Sequence, residues 1–225
     1  MFKESLDDFF DILFNYSKGL PRIARTRNIW NGLAVYLFVS LIVSLATVNI
    51  NINYGWEQDV FFMPQESVPF ISPEMGESAS RFFPLATLLI QLVFGPLYFL
   101  LMVAIRNFVA ELFGGRGHVL ALGAVLGYGH LPYLIVALGG LLNRYTAFNT
   151  IGFLTIIALL WSLWLKIAGL RVVHEFSWGR ATLCYFMPFL ALLGAMILFL
   201  LLAIVFLFPL MVQFIEKLPG GPALF

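Results

Sequence analysis

The stretch Ala191–Leu210 reads ALLGAMILFLLLAIVFLFPL and contains no charged residue. A helix rises 1.5 Å per residue, so about 20 apolar residues cross the roughly 30 Å hydrocarbon core of a bilayer. Inside that core every backbone N–H and C=O group needs a partner, which a helix provides within its own segment. The stretch therefore predicts a transmembrane helix.

Further uncharged, hydrophobic runs have the same character, and 61% of the residues are hydrophobic while 11% are charged. This composition excludes a water-soluble globular protein. The sequence predicts an all-α, polytopic protein of the lipid bilayer with five transmembrane helices. The net charge of +1 offers no general attraction to nucleic acid, and the single cysteine forms no internal disulfide. The predicted spans lie near Ile29–Val48, Phe82–Ile105, Val119–Leu142, Tyr145–Leu165 and Ala181–Ile215.

Lysine and arginine residues divide unevenly between the two sides of the membrane. Loops rich in these residues stay in the cytoplasm. With a cytoplasmic N-terminus, ten of them fall inside and three outside, so the sequence predicts this orientation and an external C-terminus. The inner residues are Lys3, Lys18, Arg22, Arg25, Arg27, Arg106, Arg116, Lys166, Arg171 and Arg180, and the outer ones are Arg81, Arg144 and Lys217.

The segment before the first span has the pattern of an amphipathic helix. Apolar residues recur every three or four positions from Phe2 to Phe14, and acidic residues occupy the opposite face. Two placements stay open, docking against the protein's own cytoplasmic loops and lying in the membrane interface. The expected parts are a cytoplasmic segment at 1–28, a membrane domain at 29–215 with an external loop at 49–81, and an external tail at 216–225.

Several motifs follow one another in an order that resembles a known family. The chain reads Phe113-Gly114-Gly115 between the second and third spans and Tyr128-x-x-x-Pro132 within the third. A span with Trp161 then ends in Ile-Ala-Gly-Leu-Arg171, and a segment from Ser177 to Ala181 follows. Together these motifs resemble the Yip family of Ypt/Rab-interacting membrane proteins and their prokaryotic relatives. The resemblance covers roughly residues 21–188.

The resemblance implies a five-span helical domain with a cytoplasmic N-terminus and no catalytic activity. Eukaryotic relatives bind small GTPases and one another in vesicle trafficking, and some bacterial relatives accompany transport systems. Because the polar region before the first span is short, the resemblance favours a prokaryotic-type member in the bacterial cytoplasmic (inner) membrane.

Patterns that would indicate an enzyme do not occur in this sequence. His174-Glu175 is not followed by the second histidine of a His-Glu-x-x-His zinc site, and no phosphate-binding loop ending in Gly-Lys-Ser/Thr is found. We therefore predict a non-enzyme with no catalytic, cofactor-binding or metal-binding residues. The sequence from Gly114 to Gly117 favours a tight turn, with an anion-binding nest using Arg116 as the alternative.

His130 lies near the middle of the third span, where an ionisable group is costly and must face protein or water. Because Pro132 removes a backbone donor, a local break in the helix is expected to form a polar pocket with Tyr128 and Asn31 or Gln91. Two roles stay open for His130: a hydrogen bond between helices, and proton or ligand handling. Trp161, Trp164 and Lys166 are expected to anchor a helix end at the membrane interface.

Two surfaces are candidates for contacts with other helices or proteins. Gly123 and Gly127 form a Gly-x-x-x-Gly motif, which allows close helix packing within the subunit or in a homo-oligomer. Exposed loop residues carry recognition more often than lipid-facing ones. We therefore predict partner docking through the cytoplasmic connections, at Glu111, Phe113, Gly114, Gly115, Arg116, Arg171 and Arg180.

Two function classes result from this reasoning. The first is a non-enzymatic accessory or adaptor that binds another membrane protein, such as a transporter subunit. The second is a small oligomeric transporter or channel with His130 as its polar site. The uneven number of spans and the lack of carboxylates inside them favour the first.

Overall fold

The computed structural model describes residues 2–54, 73–142 and 150–216, and within these ranges every regular element is a helix. Residues 55–72 of the predicted loop 49–81 and residues 217–225 of the predicted tail lie outside the described residues. The elements are α1 (Phe2–Phe14), α2 (Tyr16–Thr26), α3 (Ile29–Tyr54), α4 (Pro73–Leu112), α5 (Val119–Tyr128), a 3₁₀ turn (Leu131–Tyr133), α6 (Leu134–Leu142), α7 (Thr150–His174) and α8 (Trp178–Glu216).

Among the described residues, five helical stretches are long and apolar enough to cross a membrane, so the predicted all-α, five-span fold class is confirmed. They are Ile29–Ala46, Leu88–Leu112, Val119–Gly140, Thr150–His174 and Trp178–Leu207. Their ends differ from the predicted ones. Helix α4 continues past Ile105 to Leu112, and α7 continues past Leu165 to His174. Each predicted run ended before one charged residue, Arg106 or Lys166. A charged side chain that contacts polar groups inside the protein does not end a helix.

Helix α8 is one continuous helix from Trp178 to Glu216, although it contains Pro188 and Pro209. Between 189 and 207 its side chains are exposed nearly all round. A helix that is apolar on every side is suited to lipid surroundings, which have no preference for any one face.

Helices α3 and α5 pack at backbone contact inside the chain. A Cβ atom added to Gly127 would lie 2.1 Å from the carbonyl oxygen of Gly32, and one added to Gly32 would lie 2.2 Å from the carbonyl oxygen of Gly123. Gly123 itself faces the side chain of Ile29. The structure thus places both glycines of the Gly-x-x-x-Gly motif against α3 of the same chain, where the missing side chains allow the two backbones to touch.

The N-terminal segment forms two helices that dock on the membrane domain. Ile12, Leu20 and Ile23 are fully buried in a core that includes Val125 of α5 and Leu165 of α7. Of the two predicted placements, the structure has docking on the protein, but these contacts are with helices α5 and α7 and not with the predicted cytoplasmic loops. The outer edge of α1 remains apolar, because Phe10 and Phe14 are 56% and 76% exposed.

The position of Asp8 in α1 differs from the predicted amphipathic pattern. The expectation placed the acids on the face away from the apolar residues, but Asp8 is only 3% exposed. Its carboxylate pairs with the guanidinium of Arg22 at 2.7 Å and with that of Arg27 at 2.7 Å. A buried carboxylate is stable only with such partners. Helix α2 and the residue after it supply them, so this ion-pair cluster clamps α1 to α2.

Candidate functional site

Helices α4 and α7 end in the same kind of backbone turn. The N–H of Gly115 donates to the carbonyl of Ala110 at 2.8 Å and that of Gly114 to Glu111 at 2.9 Å, the Schellman pattern. Gly114 has the left-handed φ of +78° that this pattern places just beyond the helix. At the end of α7, Glu175 has a φ of +57°, and the N–H of Phe176 donates to Arg171 at 3.0 Å.

These two turns are packed against each other through His174. The N–H of Gly117 donates to Nδ1 of His174 at 3.1 Å, and the imidazole stacks on the ring of Phe176. A Cβ atom at Gly115 would lie 2.6 Å from the same nitrogen, and one at Gly117 would lie 2.5 Å from the carbonyl oxygen of Val173. Both glycines are therefore required for the contact, and the two connections form one unit.

We call the exposed side of this unit the two-turn surface. It carries both signs of charge, and Leu112 adds an apolar side chain that is 71% exposed. Of the predicted docking residues, Glu111, Gly114, Arg116, Arg171 and Arg180 are exposed, while Phe113 and Gly115 are half-buried beneath them. Arg171 lies in the last turn of α7, its guanidinium 4.9 Å from the ring centre of Trp178, and Arg180 lies in the first turn of α8. The surface comprises Glu111, Leu112, Arg116, His118, Arg171, Glu175 and Arg180.

The third span is interrupted where the sequence indicated a break. Helix α5 ends at Tyr128, and a short 3₁₀ turn containing Pro132 precedes α6. The carbonyl of Gly129, which lies in the break, accepts a hydrogen bond of 2.7 Å from the hydroxyl of Ser162 on α7. Irregular backbone at this depth is tolerated because a neighbouring helix pairs with its polar groups.

His130, in the same break, contacts a buried lysine of α7. Its Nδ1 lies 2.9 Å from the carbonyl oxygen of Leu126, and its Nε2 lies 3.1 Å from Nζ of Lys166. The carbonyl can only accept, so Nδ1 carries the proton and Nε2 accepts from Lys166. The prediction that Lys166 anchors a helix end is wrong, since Lys166 is 8% exposed and lies eight residues before the end of α7. Trp164, by contrast, is 47% exposed.

A cavity of about 400 Å³ opens next to this pair, between α3, α4, the break in the third span, α7 and α8. Lys166, His130 and Arg106 line it together with four tyrosines. Among the described residues that line the cavity, none is aspartate or glutamate. The guanidinium of Arg106 lies 4.5 Å from the ring centre of Tyr185. The four tyrosines are Tyr36, Tyr98, Tyr133 and Tyr185.

A family model described as the Yip1 domain matches residues 10–201, which begin in α1 and end in α8. The chain belongs to the Yip1 domain family. The resemblance inferred from the motif order is thereby confirmed, and the match includes both the two-turn surface and the cavity. Neither a curated protein nor a solved structure matches the chain.

The predicted polar pocket of this Yip1 domain differs in part from the cavity that the structure contains. His130 and Gln91 line the cavity. Tyr128 does not line it but packs in the core at 5% exposure, and Pro132 is also buried. Asn31 is exposed at the start of α3, where its backbone N–H donates to the side chain of Asn28. The expected grouping of Tyr128 and Asn31 with His130 is therefore corrected.

The sequence pattern of this Yip1 domain did not predict that Lys166 and Arg106 line a cavity between the spans. Each was placed at a helix end or in a connection, because a charged residue was taken as the boundary of an apolar run. A signal was present in the sequence, since apolar residues follow both positions, at 108–110 after Arg106 and Asn107 and at 167–170 after Lys166.

Proposed function

We propose that this Yip1 domain protein is a non-enzymatic accessory or adaptor that binds another membrane protein, such as a transporter subunit, through the two-turn surface. The observation that carries the proposal is the contact between Gly117 and His174, which holds two exposed connections in one arrangement. A surface that is ordered before binding loses less conformational entropy when a partner docks.

The composition of the two-turn surface supports this role. The two-turn surface contains the exposed cations Arg116, Arg171 and Arg180 and the exposed acids Glu111 and Glu175, and Leu112 adds exposed apolar area. Arginine is enriched in protein interfaces, because its guanidinium makes several directed hydrogen bonds and stacks on aromatic rings. Charges of both signs in an interface contribute more to selectivity among partners than to binding affinity.

The proposed orientation places the two-turn surface and the N-terminus in the cytoplasm of a bacterial cell, with the protein in the inner membrane. When Arg106 and Lys166, which line the cavity, are left out of the count, eight lysine and arginine residues remain on the cytoplasmic side and three on the external side. The bias that favours this orientation therefore survives the correction.

The test is recovery of a partner with an affinity-tagged chain extracted from its native membrane in mild detergent. We expect a membrane protein to co-purify in a fixed ratio, and the Arg116→Ala/Arg171→Ala double variant to reduce that ratio about tenfold. Each lost charge-assisted contact at the rim of an interface costs roughly 0.7 kcal/mol, so the two together correspond to about a tenfold change in affinity. Quantitative mass spectrometry of the eluate measures the ratio.

The matched control is Arg25→Ala, which removes an exposed arginine of α2 outside the two-turn surface. It should leave the ratio unchanged. Equal recovery with the double variant and the wild type would contradict the placement of the docking site. If no partner appears with any version of the chain, the adaptor role itself is wrong.

One observation favours the second candidate, a small oligomeric transporter or channel. The cavity next to His130 and Lys166 is a polar space between spans, of the kind that substrate pathways use. The co-purification experiment distinguishes the two candidates, because a self-sufficient transporter functions without a stoichiometric partner.

A further inference from the structure

The cavity beside His130 contains more positive charge than its surroundings balance. Lys166 is 8% exposed, and its hydrogen-bond partner is a neutral imidazole, not a carboxylate. Arg106 contacts the ring of Tyr185. In the described part of the chain, neither cation has an ion-pair partner, while the ion pairs found there join Asp8 and Asp11 to Arg22 and Arg27.

A buried ammonium group without a counter-charge is costly inside a helix bundle, and the half-buried guanidinium of Arg106 adds a second positive charge to the same cavity. Protonated Lys166 has three N–H bonds, of which His130 accepts one. The cavity of about 400 Å³ lies within the size range of small-ligand sites. The four tyrosines that line the cavity carry hydroxyl groups, which are neutral hydrogen-bond donors, so the lining residues include the types of group that bind an oxyanion.

We propose that this cavity binds a phosphate-bearing anion, with Lys166 and Arg106 as the charged contacts and the tyrosine hydroxyls as further donors. His130 acts as a positioning residue. Its Nε2 accepts from Nζ of Lys166, and its Nδ1–H is held by the carbonyl of Leu126, so the lysine head is fixed at the cavity wall. The inference is independent of docking at the two-turn surface.

An anionic phospholipid is the source of phosphate that the surroundings favour. Tyr98 lines the cavity and is 56% exposed, so the cavity reaches the outer surface of the bundle at α4. Leu97 and Leu101, beside it, are 60% and 56% exposed, and they offer apolar area for acyl chains. Basic pockets between transmembrane helices are typical sites for acidic lipid headgroups.

The experiment is native mass spectrometry of the purified full chain in detergent micelles that contain equal amounts of phosphatidylglycerol and phosphatidylcholine. We expect the wild type to retain phosphatidylglycerol in preference, and Lys166→Met to weaken that retention about tenfold, because methionine keeps the apolar stem and removes the charge. Lys18→Met, which removes an exposed lysine of α2, is the matched control and should retain lipid like the wild type.

A second arm adds excess inorganic phosphate to the wild type. Displacement of the lipid would support a site for the phosphate group itself that a free anion also fills, and persistence would support a lipid site. If Lys166→Met does not elute as a single species, Arg106→Gln replaces it with the same expected loss. The proposal is overturned if the wild type retains both lipids equally and phosphate does not bind, or if the charge-removing variant retains phosphatidylglycerol like Lys18→Met.

Discussion

Replacing Gly127 with alanine is expected to lower the midpoint of thermal unfolding by roughly 6–12 °C, equivalent to about 3 kcal/mol for a chain of this size. The added methyl group would lie 2.1 Å from the carbonyl oxygen and 2.3 Å from the carbonyl carbon of Gly32. Backbone atoms cannot rotate away as a side chain can, so α3 and α5 must separate. The measurement is loss of the monodisperse size-exclusion peak of the detergent-purified chain after heating.

The control for this prediction is Gly194→Ala on α8. A Cβ atom at Gly194 meets no atom within 4 Å, and alanine favours the helix more than glycine does. The control should therefore unfold at the wild-type temperature or slightly above it. If both variants unfold at the same temperature as the wild type, the backbone contact between α3 and α5 does not exist as described.

Replacing Asp8 with alanine is expected to release the N-terminal helices from the membrane domain. The change leaves Arg27, which is 19% exposed, without the carboxylate at 2.7 Å, whereas Arg22 keeps its pair with Asp11 at 2.8 Å. Breaking a buried ion pair costs about 3 kcal/mol at the lower end of measured values, so the opened population should rise roughly 100-fold. Limited trypsin digestion at Lys18, Arg22, Arg25 and Arg27 measures that population, because cleavage follows local opening.

The matched control is Asp7→Ala, which removes the same charge from the neighbouring, exposed position. Its cleavage rate should stay within about twofold of the wild type, as is usual for surface substitutions. Equal trypsin cleavage rates for Asp8→Ala and Asp7→Ala would contradict the clamping role of Asp8. If both variants are cleaved as slowly as the wild type, the apolar contacts of Ile12 and Leu20 hold this segment instead.

The sequence predicted the spans because lipid imposes a simple rule on them. A run such as Ala191–Leu210 has no other stable place, so its length and its lack of charge are sufficient. Contacts between residues that are far apart in the sequence were harder to predict. Gly127 belongs to a recognisable motif, but Gly32, which it touches, stands alone in the first span without a motif of its own. Likewise, no local pattern connects Asp8 with Arg27, which lies 19 residues further along.

The candidate site likewise has features that the local sequence predicts and features that depend on the packing of several helices. Gly114 and Gly115 predicted a tight turn by their own conformational freedom, and His130 was notable because an imidazole is costly in a membrane. The cavity depends on Arg106 and Lys166, which come from α4 and α7 and meet the third span only in the folded chain. A charge next to an apolar run has two physical interpretations, the end of a span or a polar interior, and only the packing of the other helices decides between them.

We propose that this Yip1 domain presents the two-turn surface to the cytoplasm, where a partner can reach it. The most direct test uses Arg116→Cys in a Cys184→Ser background, since the native cysteine is buried. A membrane-impermeant maleimide should leave this cysteine unlabelled in intact cells and label it in inside-out vesicles, while a cysteine at Glu57 in the predicted external loop should behave in the opposite way. Labelling of position 116 in intact cells, at the rate seen for position 57, would contradict the cytoplasmic placement of the two-turn surface.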